Sequence, residues 1–307
     1  MKYLIIGTGG VGCAVGGFLV SKGNDVTFIS RGKTLEVLRN DGLKIKSGLK
    51  GDLYMPNIKV FSSEEYEDKA DVIFVCVKDY SLDSVIRVIR KASHKNSVVI
   101  PLLNGYGVGE RISKSLDTAF VADGCVYISA FIEVPGSIIQ LGSLFRLVLG
   151  ARKGIDLDSV VLNNIKNTLI DCGIDAILSN NIESEIFKKF SVVSSCAACG
   201  AYYDITAGQI QEEEKYKQTY KELSIEMREI AVKLNYKFDP DLVDINLKFL
   251  YSMDKNATSS LHKDIKAGKK TEIDSLIFSV VRLAEKLDVE VPTYKLIADH
   301  FKKLGYV

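Results

Sequence analysis

The sequence predicts a two-domain α/β protein, in which a doubly wound parallel sheet is followed by an all-helical domain. A glycine-rich segment lies between two short apolar runs at the start of the chain. Apolar runs typical of buried strands then alternate with helical patterns to about residue 180, as in a parallel sheet with crossover helices. From Ile182 onward the apolar residues follow a helical period only. The predicted domains are therefore residues 1–180 and 181–307.

The glycine-rich segment predicts a dinucleotide site. Strands are predicted at Tyr3–Ile6 and Asp25–Ile29, with a loop and a helix between them. The loop contributes Gly7, Gly9, Gly10 and Gly12. Because a pyrophosphate must approach backbone N–H groups closely, Gly7 makes the turn, Gly9 admits the phosphate and Gly12 lets the helix pack on the strand. The phosphates would lie at the positive end of the helix dipole, as in an N-terminal Rossmann domain.

The end of the second predicted strand distinguishes NADP(H) from NAD(H). An acidic residue there would bind the ribose 2′-hydroxyl and repel a 2′-phosphate. This chain instead has Ser30, Arg31 and Lys33. A hydroxyl and two cations suit a dianionic phosphate, so we expect NADP(H) as the cofactor, with Arg31 among its contacts. The alternative is a solvated basic turn.

Two later strands are predicted to end at polar residues. The apolar runs Asp71–Val77 and Ser97–Leu103 predict buried strands, which are followed by Lys78 and Asn104. Ligands of doubly wound sheets bind at the carboxyl ends of the strands, so both side chains are candidates for the cofactor face. A solvated lysine and a turn-forming asparagine are the alternatives. Further strands are predicted within Phe120–Ile139 and, separately, at Leu144–Leu149, and a helix is predicted over residues 156–171.

The overall charge gives no argument for an anionic macromolecular partner. The 307 residues include 40 Lys plus Arg and 39 Asp plus Glu, for a formal net charge of +1. This balance removes the usual electrostatic argument for nucleic acid or an anionic membrane. The sequence has no apolar stretch long enough to span a bilayer and no signal-peptide pattern, so we expect a cytoplasmic protein.

The cysteines and histidines do not predict a metal site or a disulfide framework. Six cysteines are spread over the chain, and the three histidines are scattered. Cys196-Ala-Ala-Cys199 has the spacing of a redox or zinc motif. It has no second pair and no nearby histidine, and it lies within a predicted helix, so a functional role is disfavoured.

Two charged positions in the helical domain could carry chemistry. Lys188 and Lys189 precede fourteen residues without a charge. A lysine there is either a snorkelling surface residue or, if partly buried beside a cofactor, a proton donor to an alkoxide. Glu272 is either a solvated residue at a helix start or part of a site. The pattern alone leaves both alternatives open.

The chain resembles the ketopantoate reductase family nearly end to end. The most specific match is a serine pair followed, four residues after its second member, by an aspartate, with Thr-Glu-Ile-Asp just beyond. The residues that carry the resemblance are Gly7-Thr-Gly-Gly-Val-Gly12, Arg31, Val77-Lys78, Asn104-Gly105, Pro135-Gly136, Phe187-Lys188-Lys189-Phe190, Ser259-Ser260, Asp264-Ile265 and Thr271-Glu272-Ile273-Asp274.

The resemblance implies a role for each candidate residue. Lys189 would be the general acid that protonates the substrate carbonyl oxygen, and Glu272 would hold the substrate hydroxyl and orient the lysine. Ser260 would bind the substrate carboxylate. Lys78 and Asn104 would lie along the nicotinamide half of NADPH, with Asn104 also contacting substrate. The implied activity is NADPH-dependent reduction of 2-dehydropantoate to pantoate, a step of pantothenate biosynthesis, with a homodimer left open.

One departure from the family concerns the substrate. The best-known members carry asparagines four and eight positions after the catalytic lysine, where this chain has Val193 and Ala197. Ser194 and Ser195 are near but rotated away on the helix. Because two polar contacts to the substrate are lost, one alternative is a reductase that acts on another branched or hydrophobic 2-keto acid. A non-catalytic, redox-responsive NADP-binding protein is the other alternative, against which Lys189, Ser260 and Glu272 together argue.

Overall fold

A parallel sheet forms the centre of the first part of the chain in the computed structural model, which describes residues 1–155 and 157–306. The strands are β1 (Lys2–Ile6), β2 (Asp25–Ile29), β3 (Leu43–Ser47), β4 (Gly51–Met55), β5 (Lys59–Phe61), β6 (Val72–Val75), β7 (Val98–Pro101), β8 (Phe120–Val121), β9 (Asp123–Val134), β10 (Ser137–Gly150) and β11 (Asp175–Leu178). The helices are α1 (Gly10–Val20), α2 (Gly32–Asp41), α3 (Leu82–Ala92), α4 (Val108–Ser113), α5 (Ser159–Asp171), α6 (Ile182–Tyr203), α7 (Ala207–Glu212), α8 (Glu214–Lys233), α9 (Leu242–Ser252), α10 (Ser260–Lys266), α11 (Ser279–Leu287) and α12 (Pro292–Lys303).

The first sheet has the doubly wound order β5-β2-β1-β6-β7-β8, and all its neighbours are parallel. The strand order reverses between β1 and β6. Ligands bind outside the carboxyl ends of the strands at such a reversal, because the crossover connections diverge there. All four residues of β6 and of β7 are buried, as expected for strands covered on both faces. The predicted Rossmann domain is confirmed.

A second sheet was missed by the sequence analysis. It has the order β11-β10-β3-β4, and β9 pairs antiparallel with β10. The strand predicted at Leu144–Leu149 is confirmed as part of β10, but it is not separate, because β10 runs without a break from Ser137 to Gly150. Pairing with β9 carries the backbone through an irregularity between Leu141 and Phe145, where the residues between them are exposed.

The predicted helix over residues 156–171 corresponds to α5, which begins at Ser159. The carboxylate of Asp158 accepts a hydrogen bond from the backbone N–H of Val160 at 2.8 Å and caps the helix. Asp156, where the prediction began, lies outside the described residues. The sequence analysis also missed α7, although Thr206 and Gln209 form a capping box that was readable in the sequence.

The second unit of the chain is helical. The structure divides into Met1–Leu103 with Gly107–Glu185, and Asn104–Tyr106 with the residues from Ile186 onward. The first turn of α6 therefore contains the boundary, and the assignment of roles to residues 1–180 and 181–307 stays a prediction. The apolar face of α8 is buried, with Tyr220, Leu223, Met227 and Ile230 fully enclosed. Among the described residues, none of the helices is both long and apolar enough to cross a membrane.

Asp123 at the start of β9 is a buried carboxyl group in the first unit. Its side chain lies against the backbone of Gly109, where an added Cβ would come within 1.8 Å of Oδ1. Burial raises the pKa of Asp123 to about 6, and Arg152, whose Nε lies 3.3 Å from Oδ2, opposes the shift. The folded protein therefore holds a proton on this group at a pH where the unfolded chain does not.

We expect the stability of the wild type to rise relative to Asp123→Asn as the pH falls from 7 to 5. The folded pKa of about 6 lies above the ordinary value of 3.8, so protonation favours the folded state in this window, and asparagine cannot titrate. The relative gain is about 1 kcal/mol. Calorimetric unfolding at several pH values measures it, with Asp171→Asn, the loss of an exposed carboxyl, as the control. A difference in Tm that does not change with pH would contradict the assignment.

Candidate active site

The phosphate loop follows β1 at the point where the strand order reverses. Gly7 has φ +103°, a conformation that favours glycine, and its N–H donates to the carbonyl of Ile29 at 3.2 Å. A Cβ on Gly7 would lie 2.9 Å from the carbonyl carbon and oxygen of Cys76, which follows β6. The loop is therefore packed against the carboxyl end of the neighbouring strand.

The other glycines of the loop differ in what surrounds them. Gly12 could not accept a side chain, because its Cβ would come within 1.9 Å of the carbonyl oxygen of Gly7. Gly10 lies equally close to β9, since its Cβ would come within 2.3 Å of the Ala130 oxygen. A Cβ on Gly9, the residue before α1, would meet no atom within 4 Å. This open space at the N-terminus of α1 fits a dinucleotide pyrophosphate.

The end of β2 carries the residues expected at a 2′-phosphate. Ser30 is buried, and its hydroxyl lies 2.7 Å from that of Thr8, so it holds the phosphate loop to β2. Arg31 and Lys33 are exposed. Among the described residues, neither has a carboxylate within ion-pair distance, which leaves both cations accessible to an anionic group. The Ser30 hydroxyl, which was expected to face the 2′-phosphate, thus forms a hydrogen bond with Thr8 of the phosphate loop.

Lys78 lies directly beyond β6 and is half-buried. It leads into a 3₁₀ turn, Asp79–Ser81, where the buried Asp79 carboxylate accepts a hydrogen bond from Arg111 Nη1 at 2.7 Å. Because β6 adjoins β1 in the sheet, Lys78 and the phosphate loop follow neighbouring strand ends. The structure therefore places Lys78 at the edge of the sheet where doubly wound folds bind their ligands.

Lys189 and Asn104 are brought together in the helical unit. Lys189 lies on α6 and is 8% exposed. Its Nζ donates a hydrogen bond to Oδ1 of Asn104 at 2.9 Å. A buried ammonium is stable only with hydrogen-bond acceptors or negative charge around it, and the Asn104 amide is one such acceptor. The hydrogen bond holds the Lys189 side chain at a defined position.

Glu272 and Ser260 occupy different surroundings. Glu272 is 4% exposed and directly precedes Ile273 and a π-helical turn, Asp274–Phe278, which leads into α11. Its carbonyl accepts a hydrogen bond from Leu276 N at 3.0 Å. Ser260 is the exposed first residue of α10. The neighbouring Ser259 caps that helix by accepting a hydrogen bond from His262 N at 3.1 Å, which leaves the Ser260 hydroxyl out of the cap.

Val193 and Ala197 follow Lys189 on α6 at one and two turns. Val193 is half-buried and Ala197 is buried, and both pack into the apolar core of the helical unit. The nearby serines do not replace the absent amides. Ser194 Oγ lies 2.6 Å from the Leu276 carbonyl and 2.7 Å from the hydroxyl of Tyr294, so its hydrogen bonds are directed into the core.

The sequence analysis missed an aromatic pair close to Asn104. The hydroxyls of Tyr106 and Tyr236 lie 2.7 Å apart, although 130 positions separate the residues. The phenylalanines on either side of the lysine pair, Phe187 and Phe190, both contact the Tyr106 ring. The available signal was an aromatic residue two positions after a candidate polar residue.

The cysteine pair in α6 has the properties of a core element. All six cysteines are free thiols. Burial raises the pKa of the Cys196 thiol to about 11, so it stays protonated at neutral pH and is a poor nucleophile. Within residues 1–155 and 157–306, no cluster of histidine, cysteine and carboxylate side chains could hold a metal ion.

Two family models together match most of the chain. The model described as ketopantoate reductase PanE/ApbA matches residues 3–154, and the model of the C-terminal domain of the same family matches residues 181–305. The chain belongs to the ketopantoate reductase family. As a member it is a dinucleotide-binding oxidoreductase of the 2-dehydropantoate 2-reductase type, acting on a CH–OH group.

Curated relatives of this ketopantoate reductase family member match over nearly their whole length. An uncharacterized oxidoreductase, YkpB, of Bacillus subtilis is 29% identical over 297 residues, which cover 97% of this chain and 96% of that protein. A 2-dehydropantoate 2-reductase of Pyrococcus abyssi is 30% identical over 304 residues, covering 97% and 95%.

Solved structures share the fold of this family member. A PanE/ApbA family ketopantoate reductase from Ralstonia eutropha superimposes with a TM-score of 0.88 at 23% identity, over 98% of this chain and 97% of that one. A D-mandelate dehydrogenase solved with NADH and anilino(oxo)acetate superimposes with a TM-score of 0.87 at 22% identity, over 97% and 96%. At these identities the likeness shows the fold alone.

We expect Gly9→Ala and Gly12→Ala to separate dinucleotide binding from stability. Gly9 has φ −78° and open space around it, so alanine should change the free energy of unfolding by less than about 1 kcal/mol. Its methyl group would occupy the space proposed for the pyrophosphate, weakening dinucleotide binding by at least about tenfold. Gly12→Ala forces an overlap with backbone and should lower stability by about 1–3 kcal/mol or more.

Calorimetric titration with NADPH and NADH, together with thermal unfolding, measures both effects. Unchanged affinity in Gly9→Ala for both dinucleotides would place the pyrophosphate elsewhere.

Proposed function

We propose that this reductase uses NADPH to reduce the C2 ketone of 2-dehydropantoate to the alcohol of pantoate, with Lys189 as the proton donor. The observation that carries the proposal is the buried ammonium of Lys189, held 2.9 Å from the Asn104 amide oxygen. The 30% identical relative that bears the name 2-dehydropantoate 2-reductase supports the substrate.

Lys189 completes the reaction by supplying the proton. Bound NADPH would provide a hydride to C2, and the carbonyl oxygen then becomes an alkoxide. The Lys189 ammonium donates a proton to that oxygen, forms a neutral amine and takes up a proton from water before the next turnover. A donor already held by Asn104 needs little reorganisation as charge develops on the oxygen, which is the main source of electrostatic catalysis.

Glu272 and Ser260 would bind the polar groups of the substrate. In this proposal the buried Glu272 carboxylate accepts a hydrogen bond from the hydroxyl at the far end of 2-dehydropantoate, and its negative charge favours the protonated form of a nearby lysine. The exposed hydroxyl of Ser260 donates to the substrate carboxylate. Asn104 would contact substrate and nicotinamide as well as Lys189.

The preference for NADPH rests on Arg31 and Lys33 at the end of β2. Both are exposed cations, and a guanidinium can bind a phosphate through two hydrogen bonds. Ser30 is better assigned to the loop, because its hydroxyl is paired with Thr8. Lys78 would contact the nicotinamide half of the cofactor from the neighbouring strand end.

The apolar residues Val193 and Ala197 favour a second candidate, reduction of a branched or hydrophobic 2-keto acid. Apolar side chains at these two positions could not form hydrogen bonds to a hydroxylated substrate. They would also discriminate only weakly between substrates that differ in their alkyl groups. The same fold in a D-mandelate dehydrogenase is compatible with this alternative and does not favour it over 2-dehydropantoate. The two candidates share the same proton donor and cofactor site.

Turnover of a substrate panel decides between the candidates. Purified protein is assayed for NADPH oxidation with 2-dehydropantoate, with 2-ketoisovalerate, which lacks the terminal hydroxyl, and with bulkier 2-keto acids. A kcat/KM at least about tenfold higher for 2-dehydropantoate supports the first substrate, since one hydrogen-bonded hydroxyl accounts for that ratio. Equal values of kcat/KM for 2-dehydropantoate and the other acids support the second candidate, a branched or hydrophobic 2-keto acid. NADPH binding without turnover of any acid would overturn the enzymatic proposal in favour of a redox-responsive binding protein.

We expect Lys189→Ala to lower kcat by about 10²–10⁴-fold, because general acid catalysis contributes that much, with NADPH affinity nearly unchanged. Lys189→Arg is the matched control, since arginine keeps the positive charge but cannot release a proton in this pH range. If the lysine is the acid, both variants lose activity equally. Wild-type turnover in Lys189→Arg would show that only the charge is needed.

We expect Arg31→Asp to weaken NADPH binding by about 10–100-fold, the value of one or two charge-assisted hydrogen bonds. NADH binding should change by less than about threefold, because NADH has no 2′-phosphate at that position. Lys22→Asp, which makes the same charge change beyond the opposite end of α1, is the control for long-range electrostatics. Equal weakening of both dinucleotides by Arg31→Asp in titration calorimetry would reject the contact.

A further inference from the structure

A three-residue segment, Asn104–Tyr106, contains the hydrogen-bond acceptor of Lys189. In the structure it belongs to the helical unit, although the chain on both sides of it belongs to the first unit. Gly105 is buried and has no side chain with which to anchor the segment. The hydrogen bond to Lys189 and the contacts of Tyr106 therefore both support the position of the Asn104 amide.

Tyr106 is held by the helix that carries the lysine. Its ring stacks on Phe190, with centroids 6.0 Å apart and an interplanar angle of 26°, and meets Phe187 edge-on at 5.3 Å and 90°. These phenylalanines are two positions before and one position after Lys189, and both are fully buried. Aromatic contacts of this kind fix the plane and depth of a ring. They do not fix its hydroxyl end.

Tyr236, which follows α8, holds that hydroxyl end. Its hydroxyl lies 2.7 Å from that of Tyr106, and its ring contacts the ring of Phe187, with centroids 5.7 Å apart. Both tyrosines are half-buried, so a lost hydroxyl contact is only partly replaced by water. Phe187, Phe190 and Tyr236 therefore hold Tyr106, which belongs to the segment that carries Asn104. We call these four aromatic residues the aromatic clamp.

We propose that Tyr236 is a positioning residue, which acts through Tyr106 to hold the Asn104 amide against the Lys189 ammonium. The inference rests on the proposed role of Lys189 as the proton donor. It assigns a function to a residue that touches neither substrate nor cofactor in the proposed reaction. Small displacements of a catalytic group lower turnover strongly, so the loss of one remote hydroxyl should be measurable.

Tyr236→Phe removes the hydroxyl contact and keeps the ring. We expect kcat for the preferred 2-keto acid to fall about three- to tenfold, with the Kd for NADPH changed by less than about twofold. The alkaline limb of the kcat profile, where the donor loses its proton, should move to lower pH, because a loosened amide no longer favours the ammonium form. Tyr203→Phe is the matched control, since it loses a tyrosine hydroxyl contact to Thr219, at 3.2 Å, about 21 Å along α6 from Lys189.

Coupling experiments separate positioning from a general structural effect. Tyr106→Phe should reproduce the loss, and the Tyr106→Phe/Tyr236→Phe double variant should lose no more than either single variant. In an Asn104→Ala background, Tyr236→Phe should have no further effect on kcat. An undiminished loss in that background, or an unchanged pH profile, would overturn the inference.

A readout that needs no substrate keeps this test independent of the proposed function. Acetylation of Lys189 by a small amine-reactive reagent, measured peptide by peptide, should accelerate at least about threefold in Tyr236→Phe, because the hydrogen bond from the ammonium to Asn104 is weakened. The exposed Lys248 should react equally in both proteins. If no 2-keto acid is turned over, faster labelling still supports the clamp, and an equal rate at Lys189 overturns it.

Discussion

A buried ammonium group requires a hydrogen-bond acceptor, and the candidate site depends on how the fold provides one for Lys189. One acceptor is Asn104, 85 positions earlier in the chain. Tyr106, two positions after it, contacts Phe187 and Phe190 through its ring and Tyr236 through its hydroxyl. Without such support, the desolvation of the ammonium would favour either a neutral amine or a side chain turned to solvent. The core packing around α6 therefore also helps to keep the buried Lys189 side chain in place.

The dinucleotide site depends on close backbone packing rather than on side chains. At Gly12 and Gly10 the helix approaches the phosphate loop and β9 so closely that an added Cβ would overlap backbone atoms. The space beside Gly9 is open in the same turn. Close packing behind the helix N-terminus and open space in front of it leave the first-turn N–H groups directed toward a ligand. The hydrogen bond between Ser30 and Thr8 then fixes the loop relative to the second strand.

The sequence predicted the parts of this protein that are coded locally. The strand, glycine loop and helix at Gly7–Gly12 are contiguous, and the apolar periods of α6 and α8 need no knowledge of partners. The second sheet was not predictable in the same way, because β10 pairs with β3 across about ninety residues and its middle is exposed and irregular. Local patterns made Lys189 and Asn104 candidates, and resemblance to the family suggested their roles. Their hydrogen bond, and the contact of Tyr106 with Tyr236, join distant positions, which no local pattern encodes.

The contact between Gly10 and Ala130 has a consequence for how the first unit could be shortened. The strands β9 and β10 resemble an accessory hairpin outside the doubly wound sheet, and such hairpins are natural places to trim a protein to a minimal module. Here the hairpin backbone lies directly against the first turn of the nucleotide helix. Removing residues 123–150 would expose that turn and take away one wall of the phosphate loop. A shortened first unit that preserves the surroundings of Gly10 must therefore keep the hairpin of β9 and β10.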